Sequence, residues 1–106
     1  MLAYIAGPLF NEKEREFLED INGICRAIGM STYLPSQDEG LLSKDNDDEV
    51  FQMDIKALNK ADIVVASLNG TYVDSGTAFE LGYGFAKGKN YLDFIPTLEL
   101  FHRPPR

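Results

Sequence analysis

Residues Asp62–Gly70 read DIVVASLNG, and between Ile63 and Leu68 the run holds no charge and no regular polar interruption. A strand with one wet face alternates apolar and polar side chains. A strand covered on both faces has no need to, and that is the condition of a strand in a parallel sheet layered between helices. Parallel neighbours also require long crossovers, usually helical, on either side of the run.

The flanking sequence supplies them. Upstream, Val50–Ala61 carries an apolar stripe at helical spacing; downstream, SGTAFELGYGFAKG predicts a helix and NYLDFI a further strand. Nearer the N-terminus, LAYIAG (Leu2–Gly7) is a short apolar strand, and Asn11 caps a helix whose first turn is rich in acids. Phe17, Ile21, Ile24 and Ile28 recur at helical spacing until Gly29 ends the pattern. MSTYLP (Met30–Pro35) predicts a second strand, and the polar stretch SQDEGLLSKDNDD a loop of a length tied to function or mobility. Its acidic run, Asp45–Glu49, suits a solvated helix N-terminus. Strand and helix thus alternate, which predicts an α/β fold: a doubly wound parallel sheet of about five strands with helices on both faces. Residues 1–95 form the domain and 96–106 a proline- and arginine-ended tail. Ligands in such sheets sit at the carboxyl ends of the strands, where the loops after Ala6, Leu34 and Leu68 should converge.

Composition narrows the partners. A formal charge of -7, with ten scattered Lys and Arg residues, opposes binding to a nucleic-acid polymer, whose phosphates demand clustered cations. No apolar run approaches the roughly 20 residues that cross a bilayer, and no signal-like pattern opens the chain, so a cytoplasmic location is expected. Cys25, the single cysteine, falls on an apolar helix face and reads as a buried structural thiol; an internal disulfide and a cysteine-based zinc site are excluded. His102 lies in the tail without Cys or acidic neighbours, a poor metal ligand, and no metal or cofactor is expected.

Three acids occupy awkward positions. At about 100° per residue, Val50, Phe51, Ala57, Leu58 and Ala61 surround Asp54 on one helix face, so its carboxylate should point inward. There it needs a pocket, a proton or a partner, a loop amide being the plainest. Glu80 stands in DSGTAFELGYG (Asp74–Gly84). It closes a possible capping box with Thr77, or, if the helix begins at 74 or 75, it lies in the second turn beside Gly76 and Gly84, on a face nearly bare of side chains. Glycines flanking an acid suggest that a ligand or another backbone approaches closely. Asp74 precedes it and can equally be a helix cap. Together the three acids have the composition of a glycosyl-transfer site, in which one carboxylate attacks the anomeric carbon and another manages the leaving group's proton.

YIAGPLFNEKEREF, YLPSQDEG, FQMDIKALNKADIVVASLNG and DSGTAFELGYGFAKGK, spaced across residues 2–90, resemble the nucleoside 2-deoxyribosyltransferase family. The resemblance implies a flavodoxin-like, Rossmann-like sheet and exchange of the nucleobase of a 2′-deoxynucleoside for a free nucleobase, a step of cytoplasmic nucleoside salvage, by a homodimer or higher homo-oligomer without a cofactor. It further implies Glu80 as nucleophile, Asp74 and Asp54 as base-side acids and Tyr4 as the group orienting the nucleophile. Gly7, Phe10, Gln37, Ser75 and Gly76 are implied substrate contacts. Two alternatives belong with it: a 2′-deoxynucleoside 5′-phosphate N-hydrolase on the same scaffold, which would want basic residues for the phosphate, and a non-catalytic nucleotide-binding relative.

Overall fold

A computed structural model describes residues 1–39, 47–68 and 75–94. Strand β1 (Leu2–Ala6) leads to helix α1 (Glu12–Ala27), strand β2 (Ser31–Tyr33) and a single helical turn, α2 (Pro35–Asp38). Helix α3 (Asp47–Lys60), strand β3 (Ile63–Ser67), helix α4 (Ser75–Ala86) and strand β4 (Asn90–Phe94) follow. Every strand pairing is parallel, in the order β2-β1-β3-β4. The described residues thus form four strands, where about five were expected; the four are the apolar segments legible in the sequence. Residues 95–106, the tail and His102 among them, lie outside the described residues.

Each strand face is buried by a different set of helices. Along β1, Ala3 and Ile5 pack with Leu18, Ile21 and Cys25 of α1, while Tyr4 and Ala6 pack with Ala57 and Leu58 of α3. Val65 of β3 belongs to the first cluster, Val64 and Ala66 to the second. The period-2 alternation of a strand therefore loads two apolar layers from one uninterrupted apolar run, which explains why DIVVAS shows no wet face.

Helix α1 starts where Asn11 predicts. Its side-chain oxygen accepts from the Glu14 amide at 2.8 Å, and the Glu14 carboxylate accepts from the Asn11 amide at 3.2 Å, a reciprocal capping box. Gly29, at φ 94°, ends it. The buried stripe differs from the expected one: it runs through Leu18, Ile21, Asn22 and Cys25, whereas Ile24 and Ile28 are 53 % and 72 % exposed. Two helical stripes cross at Ile21, and only packing against Ala3, Ile5 and Val65 selects between them. Burial pushes the Cys25 thiol pKa up, in keeping with a structural cysteine.

The chain moves from β1 out to β2 and then back past β1 to β3, so the order reverses between β1 and β3. The helices that follow those two strands, α1 and α4, pack on opposite faces of the sheet, the arrangement that leaves a crevice at the carboxyl ends of the strands. Helix α4 forms one wall of that crevice, and its seat on the sheet is close: a methyl group on Gly84 would lie 2.8 Å from Val64 Cγ2. Gly84 thus admits β3 and not a ligand. Gly82, two residues earlier on the same helix, faces open space.

The two glycines therefore respond oppositely to alanine. Gly82→Ala gains helix propensity worth about 1 kcal/mol and raises the urea midpoint. Gly84→Ala forces a β-branched side chain in the core to move, an overpacking cost of about 1–3 kcal/mol, and lowers it. Equal shifts in the two variants would show that α4 is not seated on Val64.

Candidate active site

At the crevice, the segments after β1 and β2, helix α3 and the first half of α4 enclose a cavity of about 310 Å³. Gly7, Leu9 and Phe10 come from the loop after β1, Pro35 and Glu39 from the turn after β2, Val50 and Asp54 from α3, and Gly76, Thr77 and Glu80 from α4. The walls are mainly apolar with a few polar groups converging, the usual character of a small-molecule site. Those polar groups are carboxyls; no Lys, Arg or His lines the cavity among the described residues.

Helix α4 begins at Ser75, which places Glu80 in its second turn and Thr77 inside the helix. The capping box available to Thr77 and Glu80 in the sequence is therefore not formed. Instead Glu80 Oε2 accepts from the phenol of Tyr4 at 2.5 Å, a bond linking residues 76 apart in sequence. Tyr4 is fully buried on the α3 and α4 side of β1. Burial, with the negative charges of Glu80 and Asp54 beside it, holds its pKa far above the usual phenol range. The phenol keeps its proton and donates it in a charge-assisted bond, fixing the direction in which the carboxylate is presented.

Asp54 confirms the inward orientation that the α3 periodicity predicts. It borders the cavity, and its Oδ1 is buried without a hydrogen-bond partner. A buried acceptor without a partner is unusual in a folded protein, and this one borders the cavity.

A fourth acid escaped the sequence reading. Glu39 is only 6 % exposed and lies on the cavity wall. Its Oε2 accepts from the Tyr33 phenol at 2.8 Å, and it shares the cavity wall with Asp54. Burial first, then the neighbouring Asp54 carboxyl, pushes its pKa up to about 8, against the opposing effect of the Tyr33 hydrogen bond. Tyr33 and Tyr4, paired across β2 and β1, stack with ring centroids 5.4 Å apart. Two neighbouring strands thus present two parallel phenols, each donating to a different glutamate.

The other expected contacts divide. Gly7, Phe10 and Gly76 line the cavity. Gly7 is also held by packing, since a methyl group there would meet Leu18 Cδ2 at 2.6 Å and Ser67 Cβ at 3.1 Å. Gln37 and Ser75 are exposed and do not line it. The helical turn after Leu34 is the reason for Gln37: residues 35 and 39, one turn apart, share a face, and residue 37 points away from it. That spacing from Pro35 is the one sequence signal that could have singled out Glu39. Asp74 lies outside the described residues.

Comparison with known proteins agrees with this fold. No curated protein matches the sequence significantly. Among solved structures, the 2-deoxyribosyltransferase of the psychrotolerant bacterium Bacillus psychrosaccharolyticus superposes with a TM-score of 0.83 at 28 % identity, covering 96 % of this chain and 77 % of that one. The 2-desoxiribosyltransferase of Leishmania mexicana gives a TM-score of 0.73 at 25 % identity over 94 % and 70 % of the two chains. The CMP N-glycosidase BcmB of Clostridium botulinum gives 0.70 at 21 % identity over 90 % and 71 %, a likeness of fold alone. The family model for nucleoside 2-deoxyribosyltransferases matches residues 3–100. With nearly the whole sequence matched, this chain belongs to the nucleoside 2-deoxyribosyltransferase family.

Proposed function

We propose that the protein exchanges the nucleobase of 2′-deoxynucleosides by a retaining double displacement through a deoxyribosyl ester on Glu80. The observation that carries this is the Tyr4 phenol donating to Glu80 at the wall of the cavity. A carboxylate held by a buried donor, facing a largely apolar space, is prepared for attack on carbon and not for support of its own backbone.

In the first half-reaction a Glu80 oxygen bonds to C1′ as the bond from C1′ to the base nitrogen breaks. The electron pair leaves with the base, which takes a proton from an acid on the base side, the role proposed for Asp54 and Asp74. In the second, a nitrogen of the incoming base attacks C1′ from the vacated side, the ester bond breaks, the carboxylate is regenerated and the base proton returns to the acid. Two inversions leave the β configuration unchanged, and water as acceptor gives hydrolysis. Donation from Tyr4 keeps the attacking carboxylate oriented while positive charge develops on the sugar. The acidic lining and the lack of a cation among the described residues favour an uncharged nucleoside over a nucleoside 5′-phosphate as substrate. A homodimer, implied by family resemblance, belongs to the same proposal and is tested by sedimentation.

The direct test is intact mass after incubation with a 2′-fluoro-2′-deoxynucleoside, followed by peptide mapping. The expected adduct sits on Glu80; attachment elsewhere would sink the assignment. With a deoxynucleoside and a second free base, Glu80→Ala loses at least about 10³-fold of the exchange rate, whereas a binding protein would keep its ligand affinity. Tyr4→Phe removes one hydrogen bond to a charged group, worth about 1.5–3 kcal/mol, and lowers kcat about 10- to 150-fold with a small change in KM. Turnover confined to 5′-monophosphates, with free deoxyribose phosphate as product, would establish the hydrolase instead.

A further inference from the structure

Asp54 and Asp74 were the acids legible in the sequence, yet the cavity wall holds a carboxyl that neither they nor the nucleophile account for. We propose that Glu39 is a further catalytic acid, which enters the reaction protonated and passes its proton to the nucleobase as the bond to C1′ breaks. This rests on the transferase proposal and names the proton donor within it.

Geometry supplies the first support. Glu39 follows the helical turn after β2 and Asp54 comes from α3; both line the cavity with Glu80, and Glu39 is buried there. Ionised carboxylates gathered in one partly dry cavity repel one another, and burial among them favours the protonated form of Glu39. The groups facing Glu39 are the Tyr33 phenol from β2, Asp54 from α3 and Glu80 from α4, with Asp38 on its own turn contributing to the field at Tyr33. Among the described residues none of these is a cation that would compensate a second negative charge. Tyr33 itself is held well above the usual phenol range by burial and by its bond to Glu39, so it remains a donor and cannot serve as the acid. The elevated pKa of Glu39, about 8, agrees: near neutrality its carboxyl is predominantly protonated.

The proton balance closes over a cycle. As the base leaves, the electron pair of its glycosidic bond falls on nitrogen, the Glu39 proton moves to the base, and Glu39 is left as a buried carboxylate. That state is costly because no described cation lines the cavity to offset it, which helps return the proton. The incoming base supplies it, losing its N–H proton to Glu39 as its nitrogen bonds to C1′ and the ester to Glu80 breaks. Asp54 Oδ1, buried and without a hydrogen-bond partner, is placed to accept a donor from the base edge during the same step. Together the two acids offer the base one donor and one acceptor side by side, the complement of a ring amide edge.

The test uses Glu39→Gln, which keeps the shape, an acceptor for Tyr33 and a donor toward Asp54, but has no transferable proton. Base release is measured for the fastest-reacting of thymidine, 2′-deoxycytidine and 2′-deoxyinosine, and for N7-methyl-2′-deoxyguanosine, whose cationic base leaves without taking a proton. The expected result is a loss of about 10²- to 10⁴-fold for the ordinary nucleoside and less than about fivefold for the methylated one, which needs no acid catalysis. In the unmodified protein kcat falls as pH rises through about 8, where Glu39 loses its proton, and that limb is absent from Glu39→Gln. Carboxyl ¹³C NMR of glutamate-labelled protein, which needs no turnover, should show one glutamate titrating near pH 8 that is missing from the variant. Equal losses for both substrates, or a Glu39 carboxyl already ionised at pH 6, would overturn the proposal. If neither substrate reacts with the unmodified protein while the NMR titration is found, the transferase proposal fails and the catalytic role of Glu39 falls with it; only its raised pKa survives.

Discussion

The close seat of α4 on the sheet, with Gly84 against Val64, is the constraint on which the rest depends. It brings the second turn of that helix near enough to β1 for the Tyr4 phenol to reach Glu80. A side chain at residue 84 would lift the helix and open the distance between donor and acceptor. Hydrogen bonds weaken steeply with distance, so a displacement of an ångström would abolish this one. Packing chemistry and reaction chemistry are therefore joined at one glycine, four residues along the helix from the acid it serves.

The same sheet solves an electrostatic problem. Glu39, Asp54 and Glu80 line one cavity, and concentrating negative charge in a partly dry space is unfavourable. Neutral donors spread the load: two stacked phenols, on adjacent strands, each bond a different glutamate. Burial raises the pKa of Glu39, which favours its neutral form beside the other two acids. Different environments thus drive chemically similar side chains toward different protonation states, the usual basis for separating a nucleophile from an acid.

Much of the fold was legible because burial on both faces leaves an unmistakable run in DIVVAS, and because the cap at Asn11 and stop at Gly29 are local devices. Asp54 was legible for a similar reason, an acid in the middle of an apolar stripe. Other features needed the third dimension. Ile21 belongs to two possible stripes on α1, and only the sheet decides between them. Glu80 fitted either a capping box or a cavity until the helix start at Ser75 was fixed. Gln37 was implied by family resemblance, and Glu39 passed unnoticed in a segment that read as an open loop; one helical turn there is too short to leave a periodic signature, yet it rotates residue 39 inward and residue 37 outward. The role of Gly84 was hidden too, since sequence announces that something comes close but not whether it is a ligand or a valine.

The bond between Tyr4 and Glu80 spans 76 positions, and Glu39 and Asp54 enter from segments in between. No local fragment contains the constellation. Closing so wide a loop costs entropy that is recovered only when β1 and β3 lie side by side. A nascent chain still emerging from the ribosome, or a partly unfolded one, is consequently inert, and a reactive carboxylate is never offered to sugars by a half-made molecule. Competence arrives in a single event, at the moment β1 and α4 meet.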